Sequence, residues 1–234
     1  MKILALDTAT EACSAALLVD GRLIVREEEF ARGHAEHILP MVDAVLAEGG
    51  VGLAQIDALA FGRGPGGFTG VRLAASVVQG LAFASGRPVV PVSDLSAVAQ
   101  RAFELPGTPA RVLVCNDARM HEVYWGCFQR AGDGLAVLVG AEHVGAPSAI
   151  VLPEGWAALP AGAVGGVGRG FRAYPELLPG VTPAVTVVQD DILPRAAEIA
   201  RLAVPEVAAG RLLQPDDAIP VYLRDDVAHP ASRN

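Results

Sequence analysis

MKILALDTATEACSAALLVDGRLIVREEEF, residues 1–30, sets two sharp turns between three runs of strand-forming residues. KILALD (2–7) passes through DTATE into ACSAALLVD (12–20), and Asp20-Gly21 is a dipeptide that suits the left-handed backbone of a two-residue hairpin. RLIVREEEF (22–30) follows directly, so the sheet opens with three antiparallel strands.

From Gly33 the apolar period becomes helical, with Ile38, Leu39, Met41, Val42, Val45 and Leu46 preceding a Gly49-Gly50 stop. Pro40 falls in the first turn or two, where it disturbs a helix least. A buried strand at IDALAFG (56–62), a helix over about 69–85, a strand at RPVVPV (87–92) and a helix capped by Ser93 or Asp94 come next. The order βββαβαβα predicts an α/β fold with a mixed sheet flanked by helices, because alternating elements favour right-handed parallel crossovers. That order is the one found in a single actin-like (ribonuclease H-like) lobe.

Beyond the break LPGTP (105–109), RVLVCND, ARMH and EVYWGCFQ (111–129) repeat the opening strand, turn and strand, which points to an internal duplication. Gly, Pro and Ala are frequent from Gly132 to Pro183, so a degenerate second lobe with long surface loops is expected there. A helix near Leu193–Ala209 is interrupted by Pro205. The expected organisation is a first lobe over 1–104, a second over 105–190, and a helix and tail over 191–234 returning to the first.

With 234 residues and 52% hydrophobic content, the chain has ample apolar surface for a core. A net charge of -8 with no massing of its 18 Lys and Arg argues against direct tRNA binding. Cys13, Cys115 and Cys127 form no CxxC pair, which suits a reducing cytoplasm rather than a disulfide framework or a zinc knuckle. No secretory leader or run of 18 apolar residues is present, so no membrane partner is expected.

Two segments could meet an anion. Asp7, Thr8 and Thr10 lie in the first hairpin turn, where backbone N–H groups approach phosphates in other proteins; Asp7 could equally accept hydrogen bonds within its own turn. GRGPGGFTGVR (62–72) places five glycines before a helix, and Gly64, Gly66 and Thr69 are the candidate contacts. The alternative is a tight turn with Thr69 capping the helix. His34 and His37 share a helix face, yet no third ligand accompanies them, and a metal site ordinarily needs three. No serine lies in a nucleophile elbow and no cysteine has a basic neighbour, so no catalytic residue and no metal site are expected. Around the second turn, Glu122 is read as a local ion-pair partner of Arg119.

GPGGFTGVR followed by SVVQGLAFASGRPVVPVSDLSAVA (64–99) resembles the GPGSFTGLR signature of the TsaB (YeaZ-type) family, with Gly67 where that family commonly has Ser. The likeness extends to ALDTATEACSAAL (5–17), CNDARMHEVYWGCF (115–128), GGVGRGFRAYPELL (165–178) and PVYLRDDVA (220–228). It implies a two-lobed actin-like fold and a non-catalytic scaffold for threonylcarbamoyl transfer to adenosine 37 of tRNA. The implied partner is the catalytic paralogue TsaD, with TsaE engaged through that complex, tRNA met only indirectly, and self-pairing in isolation. No intrinsic cofactor is implied; ATP or ADP at the complex interface stays open, as does an actin-like ATPase or metallopeptidase using Asp7 and the Gly64–Gly67 loop or His34 and His37.

The helix patterns suggest where a partner docks. His34, Ile38, Met41 and Val45 form one stripe and Ala35, Leu39, Val42 and Leu46 another, together wider than the ~100° one core needs. Val71, Ala74, Ala75, Val77, Val78, Leu81 and Ala82 cover about half of the next helix. Side by side, helices 34–48 and 69–85 could bury ~800 Å² per partner. The expected interface comprises His34, His37, Ile38, Met41, Val45, Phe68, Val71, Arg72, Ala75 and Val78.

Overall fold

Asp20 and Gly21 have φ of 50° and 84°, as a two-residue hairpin requires, and they join β2 (Ala12–Val19) to β3 (Arg22–Glu29) behind β1 (Lys2–Asp7). The structure is a computed structural model describing residues 1–175, 177, 181 and 183–224. After α1 (His34–Gly49), β4 (Ala58–Gly62) lies parallel to β1; after α2 (Phe68–Ser85), β5 (Val89–Val92) lies parallel to β4. The resulting order β3-β2-β1-β4-β5 is the mixed sheet that the strand and helix alternation predicts.

Alternation along β1 divides the first lobe into two cores. Leu4 and Leu6 face α1 and α2, joining Ile38, Val42 and Val45 with Ala74, Ala75 and Val78. Ile3 and Ala5 face the other way and meet α5 (Ala196–Ala208) through Ile199, Ala200 and Ala203. Pro205 sits in the last turn of α5, so the one intrahelical hydrogen bond it removes, to the Arg201 carbonyl, falls close to where the helix ends. Among the described residues one helix, α2, is long and apolar enough by length and composition to cross a membrane; its inward stripe is a wall of the α1–α2 core.

The second sheet repeats the first. β6 (Arg111–Asp117), β7 (Val123–Arg130) and β8 (Ala136–Gly145) are antiparallel, while β9 (Val164–Val167) and β10 (Val185–Gln189) extend the sheet in parallel beyond β6. The order β10-β9-β6-β7-β8 is that of the first sheet element for element. Among the described residues the two lobes differ chiefly in the helical layer. In the position of α1 the chain has two 3-10 turns, Pro147–Ala149 and Trp156–Ala158, and in the position of α2 it has the four-residue α4 (Gly170–Ala173).

Helix α3 (Asp94–Phe103), capped by the Ser93 hydroxyl, covers the inner face of the second sheet through Leu95, Val98 and Ala102. A boundary at 104 therefore parts α3 from the strands it covers. Each sheet is closed on its inner face by the helix that ends the other lobe's run of strands, and α3 and α5 touch. The tail beyond Arg224, and Glu176 and Leu178 of the GGVGRGFRAYPELL stretch, lie outside the described residues.

Candidate functional site in the interlobe cleft and on the outer helices

The first hairpin turn and the glycine loop are pressed together. The Gly67 N–H donates to the Ala9 carbonyl at 2.7 Å and the Thr8 hydroxyl donates to the Gly70 carbonyl at 2.7 Å. A Cβ on Gly70 would lie 2.0 Å from the Thr8 oxygen and one on Gly66 would lie 2.6 Å from the Ala9 oxygen. These glycines permit backbone to meet backbone. The loop's polar groups are thus partly engaged within the lobe.

Asp7 is sealed beneath this contact. Its Oδ1 accepts the Ala9 N–H at 2.8 Å, and Asp94 Oδ2 accepts the Gly64 N–H at 2.5 Å. Both carboxyls are fully buried. Burial pushes Asp7 up to about 6, and burial together with the adjacent Asp7 pushes Asp94 well above the ordinary carboxylate range. Helix α2 begins at Phe68 with Gly67 at its cap position and no side-chain cap, so Thr69 is not the capping residue.

Between the lobes lies a cleft of about 600 Å³, a size ordinary for small-molecule sites. Thr8, Thr10, Gly66 and His34 line one side, and Asn116, Asp117, Arg119 and Arg169 the other. Of the six residues expected to contact nucleotide, Thr8, Thr10 and Gly66 reach the cleft, whereas Asp7, Gly64 and Thr69 are not among its lining. The cleft's cations are drawn into ion pairs. Arg119 meets Asp117 and Glu11 at 2.9 and 3.2 Å; Arg169 meets Glu29 at 2.8 Å and Asp191 at 2.9 Å. Two of these pairs cross from one lobe to the other. Glu122 pairs with Arg224 rather than Arg119, because Arg119 is turned toward the first hairpin.

The second turn differs from the first in backbone as well as side chains. Arg119, Met120 and His121 have consecutive φ values of 61°, 55° and 59°, a conformation that costs a residue with a Cβ ~1–2 kcal/mol.

The two histidines of α1 have separate local partners. His34 Nε2 is 2.9 Å from the Thr10 carbonyl, and His37 stacks on Phe30 with centroids 4.1 Å apart. Among the described residues no group of three His, Cys, Asp or Glu side chains could hold a metal ion. Burial raises the thiols: Cys13 to about 11, Cys127 to about 12, and Cys115 well above the usual range.

The expected docking face requires correction. Ile38, Val45, Val71, Ala75 and Val78 are core residues of their own lobe, and Met41 is half-buried against that core. The wide apolar arc arises because α1 and α2 each touch both the sheet and one another. The large apolar side chains these helices leave exposed are others: Leu39, 47% exposed on α1, and on α2 Phe83, 62% exposed, and Phe68, 51% exposed at the cleft end of the helix. Arg72 is exposed too, its guanidinium 3.5 Å above the Phe68 ring centroid and its Nε donating to the Tyr222 hydroxyl at 2.7 Å.

Asn116 and Arg169 were not singled out as site residues by the sequence, and Asp94 only as a possible helix cap. The signal for Arg169 was present in Gly168-Arg169-Gly170, a second glycine pair before a helix; a Cβ at Gly170 would lie 2.8 Å from the Cys115 carbonyl oxygen, reproducing the contact of Gly70 with Thr8.

Two sheets of one strand order, with a cleft between them, define a two-lobed actin-like protein. A family model described as TsaD, tRNA N6-adenosine threonylcarbamoyltransferase, matches residues 25–160. The chain is 41% identical to the tRNA threonylcarbamoyladenosine biosynthesis protein TsaB of Escherichia coli K12, across 97% of this chain and 96% of that protein. YeaZ from Pseudomonas aeruginosa superposes with a TM-score of 0.83 at 46% identity, covering 95% of this chain and 99% of that one. A second structure, described as an uncharacterized protein with similarity to peptidase YeaZ from Pseudomonas aeruginosa, gives a TM-score of 0.86 at 47% identity with the same coverage. The chain belongs to the TsaB (YeaZ-type) family.

Proposed function

We propose that this chain serves tRNA threonylcarbamoyladenosine biosynthesis in the cytoplasm as a non-catalytic subunit, docking a TsaD-type threonylcarbamoyltransferase through the outer face of α1 and α2. The observation that carries the reading is the exposure of Leu39 and Phe83 on neighbouring helices of a core that is already complete without them. A large apolar side chain kept in water on such a pair of helices is stabilised by a partner that covers it. The same face pairs with a second copy when the transferase is missing, and TsaE joins through the assembled pair.

A non-catalytic role is supported by chemistry as well. The Thr8 hydroxyl is turned onto Gly70, Asp7 is covered, and Arg119 and Arg169 are neutralised by carboxylates of both lobes. Such a cleft has little left with which to bind and polarise a triphosphate. ATP or ADP at the subunit boundary would then be held chiefly by the partner, and tRNA would be met through the transferase.

The test is reconstitution of threonylcarbamoyladenosine formation with and without this chain, alongside the Leu39→Glu/Phe83→Glu variant. Both positions are exposed, so the circular-dichroism melt should stay within a degree or two of the parent while co-elution with the transferase falls at least tenfold. Co-elution at parental strength would refute the face, and full modification without the chain would refute the role.

A further inference from the structure

Asp7 and Asp94 pose a problem that the established family membership does not address. The residues lie on different elements, β1 and the first turn of α3, and both are 0% exposed. Each uses one oxygen to receive a backbone N–H, from Ala9 and from Gly64. The remaining oxygens, Asp7 Oδ2 and Asp94 Oδ1, are buried with no hydrogen-bond partner. Gly62 makes room for the pair: a Cβ there would lie 2.6 Å from Asp7 Oδ1 and 2.4 Å from Asp94 Oδ1. Two buried carboxylates placed together resist joint ionisation, because burial and mutual repulsion both penalise the second charge.

We propose that Asp7 and Asp94 share one proton across neutral pH and act as a proton-dependent clip that ties the first hairpin turn and the glycine loop to the start of α3. The clip spans Ala9, Gly64 and α3, so it fixes the turn that lines the cleft relative to the helix that covers the other lobe. With the proton in place, one carboxyl donates an O–H to the other and both orphaned oxygens are satisfied. Without it, two negative charges face each other in a buried site.

The surroundings offer only a partial substitute for the proton. Cys13 on β2 feels the Asp7 charge without touching it: burial first, and then that charge, push its thiol up to about 11. Arg63 acts on Asp94 from the end of β4, but its guanidinium is engaged by Glu142 at 3.0 Å. The sign follows from the raised pKa values, Asp7 to about 6 and Asp94 well above its usual range. A carboxyl whose folded pKa exceeds its unfolded one stabilises the fold below the unfolded value, and that stability drains away as pH rises through the folded one. From about pH 6 upward the folded chain retains one proton that the unfolded chain has released, until Asp94 also ionises.

Amide replacement separates a shared proton from simple packing. Asp94→Asn supplies a permanent N–H donor to Asp7 Oδ2 while its carbonyl still receives the Gly64 N–H; Asp7→Asn supplies the same in reverse toward Asp94 Oδ1. In the double variant both carbonyls are committed to Ala9 and Gly64, leaving two NH2 groups face to face. We expect the wild-type folding constant to fall by as much as ~tenfold per pH unit from about pH 6 upward, one proton's linkage, until Asp94 ionises. Each single amide should flatten that slope, and the double variant should be less stable at pH 7 than the two single changes add up to. Parallel slopes in wild type and both single variants, or a strictly additive double variant, overturn the proposal. Carbon-13 titration of the aspartate Cγ resonances in the unaltered protein decides the matter if a variant fails to fold. Ionisation of both Asp7 and Asp94 below pH 5 would overturn the clip, whereas one of them titrating near 6 and the other well above it would support it.

Discussion

The two lobes share a sheet and differ in what they put on its outer face. In the first, α1 and α2 lay continuous stripes of Ile38, Val42, Val45, Ala74 and Val78 on Leu4, Leu6, Leu59 and Phe61, and keep Leu39 and Phe83 outside. In the second, 3-10 turns bring Ile150 and Trp156 down onto Leu113, Cys115 and Trp125, with Phe171 of α4 beside them. A sheet face can be closed by a regular amphipathic helix or by a few large side chains from irregular backbone. Only the former leaves a regular helical face turned away from the sheet. A duplicated fold can therefore retain its strand order while only one copy retains regular helices on that side.

The sharpest way to break the comparison is at the glycine contact. Gly70→Ala would set a methyl 2.0 Å from the Thr8 oxygen, a backbone atom that cannot swing aside. A loss beyond ~5 kcal/mol is expected, which removes the folded state of most domains. Gly80, ten residues along the same helix, has nothing within 4 Å of its missing Cβ and serves as the control. Urea denaturation of the two variants reads the difference directly; comparable midpoints would mean that the turn and loop are not locked together.

Next in size is Trp156→Ala. Trp156 is buried in the second lobe's outer core from a segment that has no helix to support it. Loss of a buried tryptophan costs ~3–5 kcal/mol, and the cost should fall on the second lobe first. Hydrogen exchange should show β6 and β7 losing protection while β1 and β4 keep theirs. Uniform loss across both sheets would show that the lobes unfold as one unit and that their outer faces are not independent.

How much of this was legible in the sequence follows from the range of the interactions concerned. The hairpin at Asp20-Gly21 and the order of the first sheet rest on local turn chemistry and on period, which a short window contains. The second sheet was readable only as far as β6 and β7, because β9 is four residues long and VGGV carries neither alternation nor a strong apolar run. Pairing it with β6 demands knowledge of residues 53 positions apart, as Val112 is from Gly165. The helix stripes were read correctly as apolar, yet the outward side was misplaced: Ile38 and Val45 are buried with Val42 and Leu46, and of the two stripes it is Leu39 that stands in water. A wheel gives the width of an arc but not which part of it a neighbouring helix covers. Asp94 was noted only as a possible cap, since its meeting with Asp7 joins residues 87 positions apart through the fold alone.

The smallest effect concerns the two hairpin turns. None of Thr8, Ala9, Thr10 or Glu11 has a positive φ, whereas Arg119, Met120 and His121 all do. Met120 is the best place to test whether that backbone stores strain, because its side chain is 77% exposed and its recorded contact is a 3.6 Å approach of Arg224 to its sulfur. Glycine at this position would relieve ~1–2 kcal/mol of left-handed strain and forfeit ~0.5–1 kcal/mol through greater freedom of the unfolded chain. Met120→Gly should therefore raise stability by ~0.5 kcal/mol, a gain of a degree or two in melting temperature for a protein of this size. A clear loss instead would mean that the left-handed run is held by its side chains, with Arg224 against Met120 and Glu122 acting as a clasp. In that case the second turn, like the first, would owe its shape to what packs on it rather than to its own residues.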